Sequence, residues 1–283
     1  MKNVDKFINE LVRVGKSNNT VSAYRTDIQQ FKEWLYKKSG VDTDNITNVD
    51  LEQYIQYMNV NLKRSVNTIN RKIKSIVQYT KYLNKTEVCM TILKTYEFKR
   101  HSIKNVKVKL IDKQDLYKLK MTINASGNKR DVAIFEILKN TGVRCNELVS
   151  IEIDDLKTDI NGENSYSYIN LKTGKGIKSR LIPLNSDAAT AISEYMKVRP
   201  LTTSKILLQG QRGSLTRLAI NKLLETYSIQ SRIELVTPNK FRHIAVHDMF
   251  EKGVDIKTIG KVLGHSSPDL TYKYCVSSNL KDK

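Results

Sequence analysis

The chain has 283 residues, with 48 Lys and Arg against 29 Asp and Glu, a formal charge of +19. At ~100 to 200 residues per domain this length predicts two domains, and 40% hydrophobic residues with only four prolines exclude a disordered basic tail. No run approaches the ~18 apolar residues of a membrane span. The start, Met1-Lys2-Asn3-Val4-Asp5, leads into no apolar signal core, and Cys89, Cys145 and Cys275 stand in no paired spacing that would form a disulfide framework or a zinc knuckle. The expectation is a cytoplasmic protein that binds a polyanion.

The charge is spread out: 21 basic and 10 acidic residues up to Leu110, 27 and 19 beyond it. Such spread over folded-looking segments suits a protein that surrounds a duplex. In the first helix Val4, Phe7, Ile8, Leu11 and Val12 make one apolar face. Asn18-Asn19-Thr20 announces a second, with Val21, Tyr24, Ile28, Phe31 and Leu35 inward. A third opens near Thr47 and turns Val49, Leu51, Tyr54, Ile55 and Met58 inward; a fourth follows Ser65 with Ile69, Ile73, Ile76 and Leu83. Residues 1–85 are therefore predicted to form a four-helix bundle. Lys63, Arg64, Arg71, Lys72 and Lys74 are expected on its polar surface, free to reach phosphates.

Residues 86–110 read as a basic interdomain linker that runs along DNA and includes Arg100. The second domain, 111–283, mixes elements. Helices are predicted at 112–121 and 131–140, the latter stopped by Thr141-Gly142. Strands at 166–171 and 179–184 flank a Gly174-Lys175-Gly176 hairpin turn. Further helices follow at 186–198, 216–227, 238–251 and 255–263, and a last one starts at Ser267-Pro268. The fold class is mostly α with a small antiparallel sheet.

The chemistry lies in scattered cations followed by one late tyrosine. Arg144 follows a helix-stopping glycine in Thr141-Gly142-Val143-Arg144-Cys145-Asn146-Glu147-Leu148. Arg242 sits in the first turns of a helix in Thr237-Pro238-Asn239-Lys240-Phe241-Arg242-His243. Leu263-Gly264-His265 ends another helix, Tyr274 lies nine residues beyond His265, and Lys175 is at the hairpin tip. In order and spacing these four signatures resemble the tyrosine recombinases of the phage integrase class, and the Thr20 to Leu35 segment is similar to that family's helical core-binding domain.

The resemblance implies a SAM-like core-binding domain and an α+β catalytic domain forming a C-shaped clamp on DNA. It implies a site-specific recombinase, or integrase, that cleaves and rejoins DNA through a 3′-phosphotyrosyl intermediate without metal, cofactor or ATP, for integration or excision of a mobile element or Xer-type resolution. Arg144 and Arg242 would clamp the non-bridging oxygens, where charge grows in the transition state. They would also favour loss of the phenol proton, Tyr274 would be the nucleophile, Lys175 the general acid, and His265 a hydrogen-bond donor to the phosphate. Glu147 would orient Arg144, His243 would be a structural support, and Lys240 joins the DNA-contact residues. Where the family usually has histidine three residues before Arg242, this chain has Asn239; an amide donates to a phosphoryl oxygen but accepts no proton, which leaves water or His265 to take the proton of Tyr274. Nine residues follow Tyr274, fewer than in many members, so the expectation is either that subunit contacts are made differently or that the tail only caps its own domain. Expected partners are double-stranded DNA with short inverted core sites and copies of the chain, two per site and four in a synapse.

Three alternatives share parts of this pattern. One is a catalytically silent DNA-binding protein of the same fold, and another a nicking-closing enzyme like the type IB topoisomerases. The third is a metal-dependent nuclease or transposase using His243, His247 and Asp248, or Asp154-Asp155, although the first set lacks the glutamate of a zinc helix and a turn is commoner for the second.

Overall fold

The computed structural model describes residues 2–86, 110–158, 166–173, 178–265 and 271–272, and the chain divides into two compact units, residues 1–106 and 107–283. The first unit contains α1 (Lys2–Arg13), α2 (Asn18–Ser39), α3 (Asn48–Val60) and α4 (Val66–Lys85). Three of these helices open on a hydroxyl cap. Ser17, Thr47 and Ser65 accept from the backbone N–H of Thr20, Asp50 and Thr68, and Asp50 returns the bond to Thr47. Each such cap contributes about 1 kcal/mol. The apolar faces enclose a core in which the Phe31 and Tyr54 rings meet edge to face at 5.0 Å. Val12 and Val49, expected inward, are exposed. Each lies at the margin of its helix's stripe, where periodicity does not say which side the next helix covers.

The second unit is built round α6 (Lys129–Thr141). Ala133, Ile134, Phe135, Ile137 and Leu138 are all buried, so this helix is apolar on nearly every side, as a central helix must be. It packs against α5 (Lys113–Ala125), α8 (Ser186–Val198) and α10 (Pro238–Glu251), with Phe135 and Phe241 perpendicular at 5.6 Å. Its end is the predicted one: Gly142 takes a left-handed φ of 60° and its N–H bonds back to Leu138. The four-residue α7 (Cys145–Leu148) follows, then a turn of 3-10 helix at Ile153–Asp155.

An antiparallel sheet, ordered β1 (Leu156–Thr158), β2 (Tyr166–Thr173), β3 (Lys178–Pro183), pairs Ile169 with Ile182 and Leu171 with Arg180. β1 was not foreseen; three residues are too few to show alternation. The predicted hairpin tip at 174–176 lies outside the described residues, as do 87–109 of the linker and the start of the last helix at 267–268. A two-stranded ladder, β4 (Gln209–Gly210) with β5 (Gly213–Ser214), precedes α9 (Arg217–Gln230), and α11 (Ile256–Leu263) follows α10. Among the described residues no helix is long and apolar enough to cross a membrane.

Candidate active site

Three turns of chain deliver the site. Arg144 caps α7 in extended conformation, directly after the left-handed Gly142 and Val143. Arg242 lies in α10, whose start is fixed by the Thr237 cap and Pro238 in its first turn. His265 follows Gly264, the left-handed cap of α11 with φ of 65°.

These segments meet on the C-terminal carbonyls of α11. Nη2 of Arg242 donates to the Leu263 carbonyl at 2.7 Å and Nη1 to that of Gly142 at 2.9 Å. Arg144 donates to Leu263 at 3.3 Å and to Gly264 at 2.7 Å. A helix C-terminus carries partial negative charge, so it offsets repulsion between two neighbouring guanidiniums. Their environments differ: Arg242 is 3% exposed, whereas the Arg144 side chain is 44% exposed. Gly142 sits tightly between them. A Cβ there would stand 2.8 Å from the Ala245 Cβ and 3.3 Å from the Arg242 Cα, so α6 and α10 touch through a residue that only glycine satisfies.

Glu147 shares its carboxylate. Oε1 accepts from Nη1 of Arg144 at 3.0 Å, while Oε2 accepts from the Arg144 backbone N–H and from Nη2 of Arg180, both at 2.8 Å. Burial pushes the Glu147 carboxyl up, but Arg180 and then Arg144 outweigh it and hold the carboxyl below its ordinary range. Glu147 thus orients Arg144, as expected, and it does so with a second cation that the sequence motif did not mark.

Burial, followed by the charges of Arg242, Arg144 and Arg180, pushes His265 down to about 4, so its imidazole is neutral at pH 7. Its Nδ1 lies 2.7 Å from Oγ1 of Thr271, which is fully buried and packed on α11 at Gly260. Nδ2 of Asn239 approaches Nε2 of His243 at 3.4 Å. His243 is buried, and that burial, with Arg242 beside it, lowers its pKa. A cavity of about 280 Å³ opens beside Arg144, Cys145, Asn239 and Arg242, with Arg217 and Asn221 of α9 on its rim. Both guanidinium-bearing residues line this space.

The structure therefore brings Arg144, Arg242, Asn239, Glu147, His243 and His265 into one neighbourhood; Tyr274, Lys175 and Arg100 lie outside the described residues. Tyr272, the neighbouring phenol, is exposed. Sequence reading missed Arg180, Thr271, Arg217 and Asn221. Arg180 alone carried a signal, because it shares a strand face with the apolar Ile182.

Of the expected DNA-contact residues, Lys63, Arg64, Arg71 and Lys74 are exposed on the first unit. Lys72 is a correction. It is 5% exposed, its ammonium lies 3.5 Å from the buried Asp27 and also bonds Gln30, and Arg71 pairs with the same aspartate. Placing a carboxylate inside the bundle drew the lysine in, since a buried charge requires a partner. In the second unit Lys240 donates to the Leu235 carbonyl at 2.8 Å. Among the described residues no cluster of His, Cys, Asp and Glu is disposed to hold a metal ion. His247 faces Asp248 and Glu251, each at 3.9 Å, and Asp155 pairs with Lys172 at 3.0 Å.

Residues 109–280 match the model of the phage integrase family and residues 4–87 that of the phage integrase N-terminal SAM-like domain. The chain is 26% identical to the TnP I resolvase of Bacillus thuringiensis, over 98% of this chain and 96% of that protein. It is 30% identical to the tyrosine recombinase XerC of Caldanaerobacter subterraneus, over 99% and 84%. In fold it is similar to the XerH site-specific recombinase solved in a post-cleavage complex with its palindromic difH substrate, with a TM-score of 0.74, 20% identity and coverage of 92% of this chain and 76% of that one.

Proposed function

The chain belongs to the phage integrase family, and from that premise we propose how its residues divide the work of a tyrosine recombinase, an enzyme that breaks and rejoins DNA at specific sites. The observation that carries the assignment is the meeting of Arg144 and Arg242 on one carbonyl beside a phosphate-sized cavity. A phosphodiester is anionic before attack and gains charge on its non-bridging oxygens during it, so two fixed guanidiniums stabilise the transition state more than the ground state.

Tyr274 Oη attacks phosphorus and forms the 3′-phosphotyrosyl bond as the bond to the 5′-oxygen breaks. Lys175 protonates that leaving oxygen. Asn239 donates a hydrogen bond to a phosphoryl oxygen; His265, whose Nδ1 is engaged with Thr271, either donates from Nε2 to the phosphate while the phenol proton passes to water, or takes that proton on Nε2 and donates only afterwards. The phosphotyrosyl bond keeps the energy of the broken phosphodiester, so attack by a 5′-hydroxyl of a partner strand reseals DNA with no nucleotide consumed and no metal. The exposed Lys63, Arg64, Arg71 and Lys74, the basic 86–110 segment and Lys240 act on phosphates along duplex DNA. The chain acts in the cytoplasm on short inverted core sites, as two copies per site and four in the synapse, to integrate or excise a mobile element or resolve replicon multimers.

The test is covalent capture. Purified protein incubated with nicked suicide duplexes, with chelator present, should give a protein–DNA adduct whose sequenced end identifies the site. Tyr274→Phe should form none, and Tyr272→Phe should form it normally. Adduct formation by Tyr274→Phe, or none by the wild type on any duplex from the replicon that carries its gene, would refute the assignment. Joining of two different duplexes separates recombination from simple nicking and closing.

A further inference from the structure

Arg180 is the cation at the centre of this site that the reaction above does not use. Its Nε donates to the Val262 carbonyl at 2.8 Å and its Nη2 to Glu147 at 2.8 Å. The guanidinium lies flat against Gly264, where any Cβ would come within 2.7 Å of Nη1. The side chain is 10% exposed, and Nη1 is buried without a hydrogen-bond partner among the described residues. A guanidinium held this way is costly to desolvate, and an apolar side chain would fill the slot more cheaply. Packing alone does not account for it.

Its effect on Glu147 does. A free carboxylate beside an arginine takes it as a two-pronged fork and neutralises it. Here Oε2 is occupied by Arg180 and the Arg144 backbone, so the Arg144 guanidinium meets only Oε1, and its Nη2 is left to bind the Gly264 carbonyl. Two guanidiniums and one carboxylate leave the Arg144–Glu147–Arg180 cluster with a net charge of +1; without Arg180 the Arg144–Glu147 pair would be neutral. The same side chain fastens β3 to the cap that sets His265.

We propose that Arg180 is a positioning residue for strand cleavage: it keeps Glu147 from taking the Arg144 guanidinium with both oxygens, leaving part of that charge for the scissile phosphate, and ties β3 to the end of α11. The proposal rests on the reading of Arg144 as a phosphate clamp. The Arg180 side chain is 10% exposed and bonds within the protein, so its loss acts on the rate at saturating DNA more than on affinity.

The test is single-turnover adduct formation on a nicked duplex by the full-length chain, with DNA affinity and thermal melting measured in parallel. Arg180→Met should cleave on the order of 100-fold more slowly at saturating DNA, with little change in affinity. Adding Glu147→Gln should recover on the order of tenfold, because the carboxylate that captured Arg144 is gone; a structural prop would not be restored by removing its partner. Should Arg180→Met fail to fold, Arg180→Lys, which keeps the charge, is expected within about tenfold of wild type, and folded Arg180→Lys with no more activity than Tyr274→Phe would overturn the proposal. So would a wild-type rate for Arg180→Met, or a double variant no faster than the single one, and in either case the functional reading would stand. A wild-type chain that forms no tyrosine-linked adduct would instead bring down the functional reading and this inference together.

Discussion

Arg144 and Arg242 donate to one oxygen, the main-chain carbonyl of Leu263, although nearly a hundred residues of sequence separate them. The two cations are aligned on the protein itself before any phosphate arrives, and one is buried while the other faces solvent. That asymmetry separates stability from catalysis. Arg242→Lys should destabilise the second unit by about 2 to 4 kcal/mol, because an ammonium cannot bridge the Gly142 and Leu263 carbonyls and remains in a buried slot. Arg144→Lys should cost about 1 kcal/mol or less yet slow adduct formation on the order of 100-fold. Urea unfolding beside adduct rates reads both; equal stability losses would contradict the assignment of different roles.

His265 supplies a pH dependence with a defined sign. Its ordinary value of 6.5 falls to about 4 in the folded chain, so between these values the unfolded chain binds the proton more readily and stability rises with pH. The stability is fully present above pH 6.5 and is lost as pH falls towards about 4. His265→Gln should flatten that part of the profile. Denaturation midpoints at pH 7 and pH 5 are sufficient, and equal slopes in the two proteins would remove His265 as the cause.

In the first unit, Asp27 is 1% exposed and holds Arg71, Lys72 and the Ser75 hydroxyl. Asp27→Ala leaves Lys72 buried without its carboxylate, which should cost about 3 to 5 kcal/mol. The double variant Asp27→Leu/Lys72→Met, apolar on both sides, should regain most of that loss. Melting of the full chain decides, and a double variant no better than Asp27→Ala would mean that the pair is not the source.

The surface cations make a contrasting prediction. Neutralising Lys63, Arg64 or Lys74 should weaken DNA binding and reduce the salt slope by about one unit for each phosphate that is no longer neutralised. Lys72→Met should leave the slope unchanged, since its ammonium faces Asp27. Affinity titrations between roughly 50 and 200 mM salt test it, and a reduced slope for Lys72→Met would show that its charge reaches DNA.

What could be read in the sequence was local. The stop at Thr141-Gly142, the start at Thr237-Pro238 and the helix spans 186–198 and 238–251 each depend on residues a few positions apart, and the structure reproduces them. The family was legible because the order and spacing of its four signatures are compact within each box. Long-range pairing was not. Lys72 looked like a surface lysine because its partner is on another helix, and Arg180 looked like hairpin alternation because Glu147 and Val262 approach it only after folding. Thr271, in a polar stretch before the tyrosines, gave no sign that its hydroxyl would fix the His265 ring.

Because a Cβ on Gly142 would stand 2.8 Å from the Ala245 Cβ, 3.2 Å from Leu263 Cδ2 and 3.3 Å from the Arg242 Cα, the distance between the two arginine-bearing segments is set by the close packing that a bare glycine allows. The electric field at the scissile phosphate is therefore assembled during folding, and little dipole reorientation remains for the moment of bond exchange. A methyl group at position 142, far smaller than any DNA contact, should detune that field without removing a single charge.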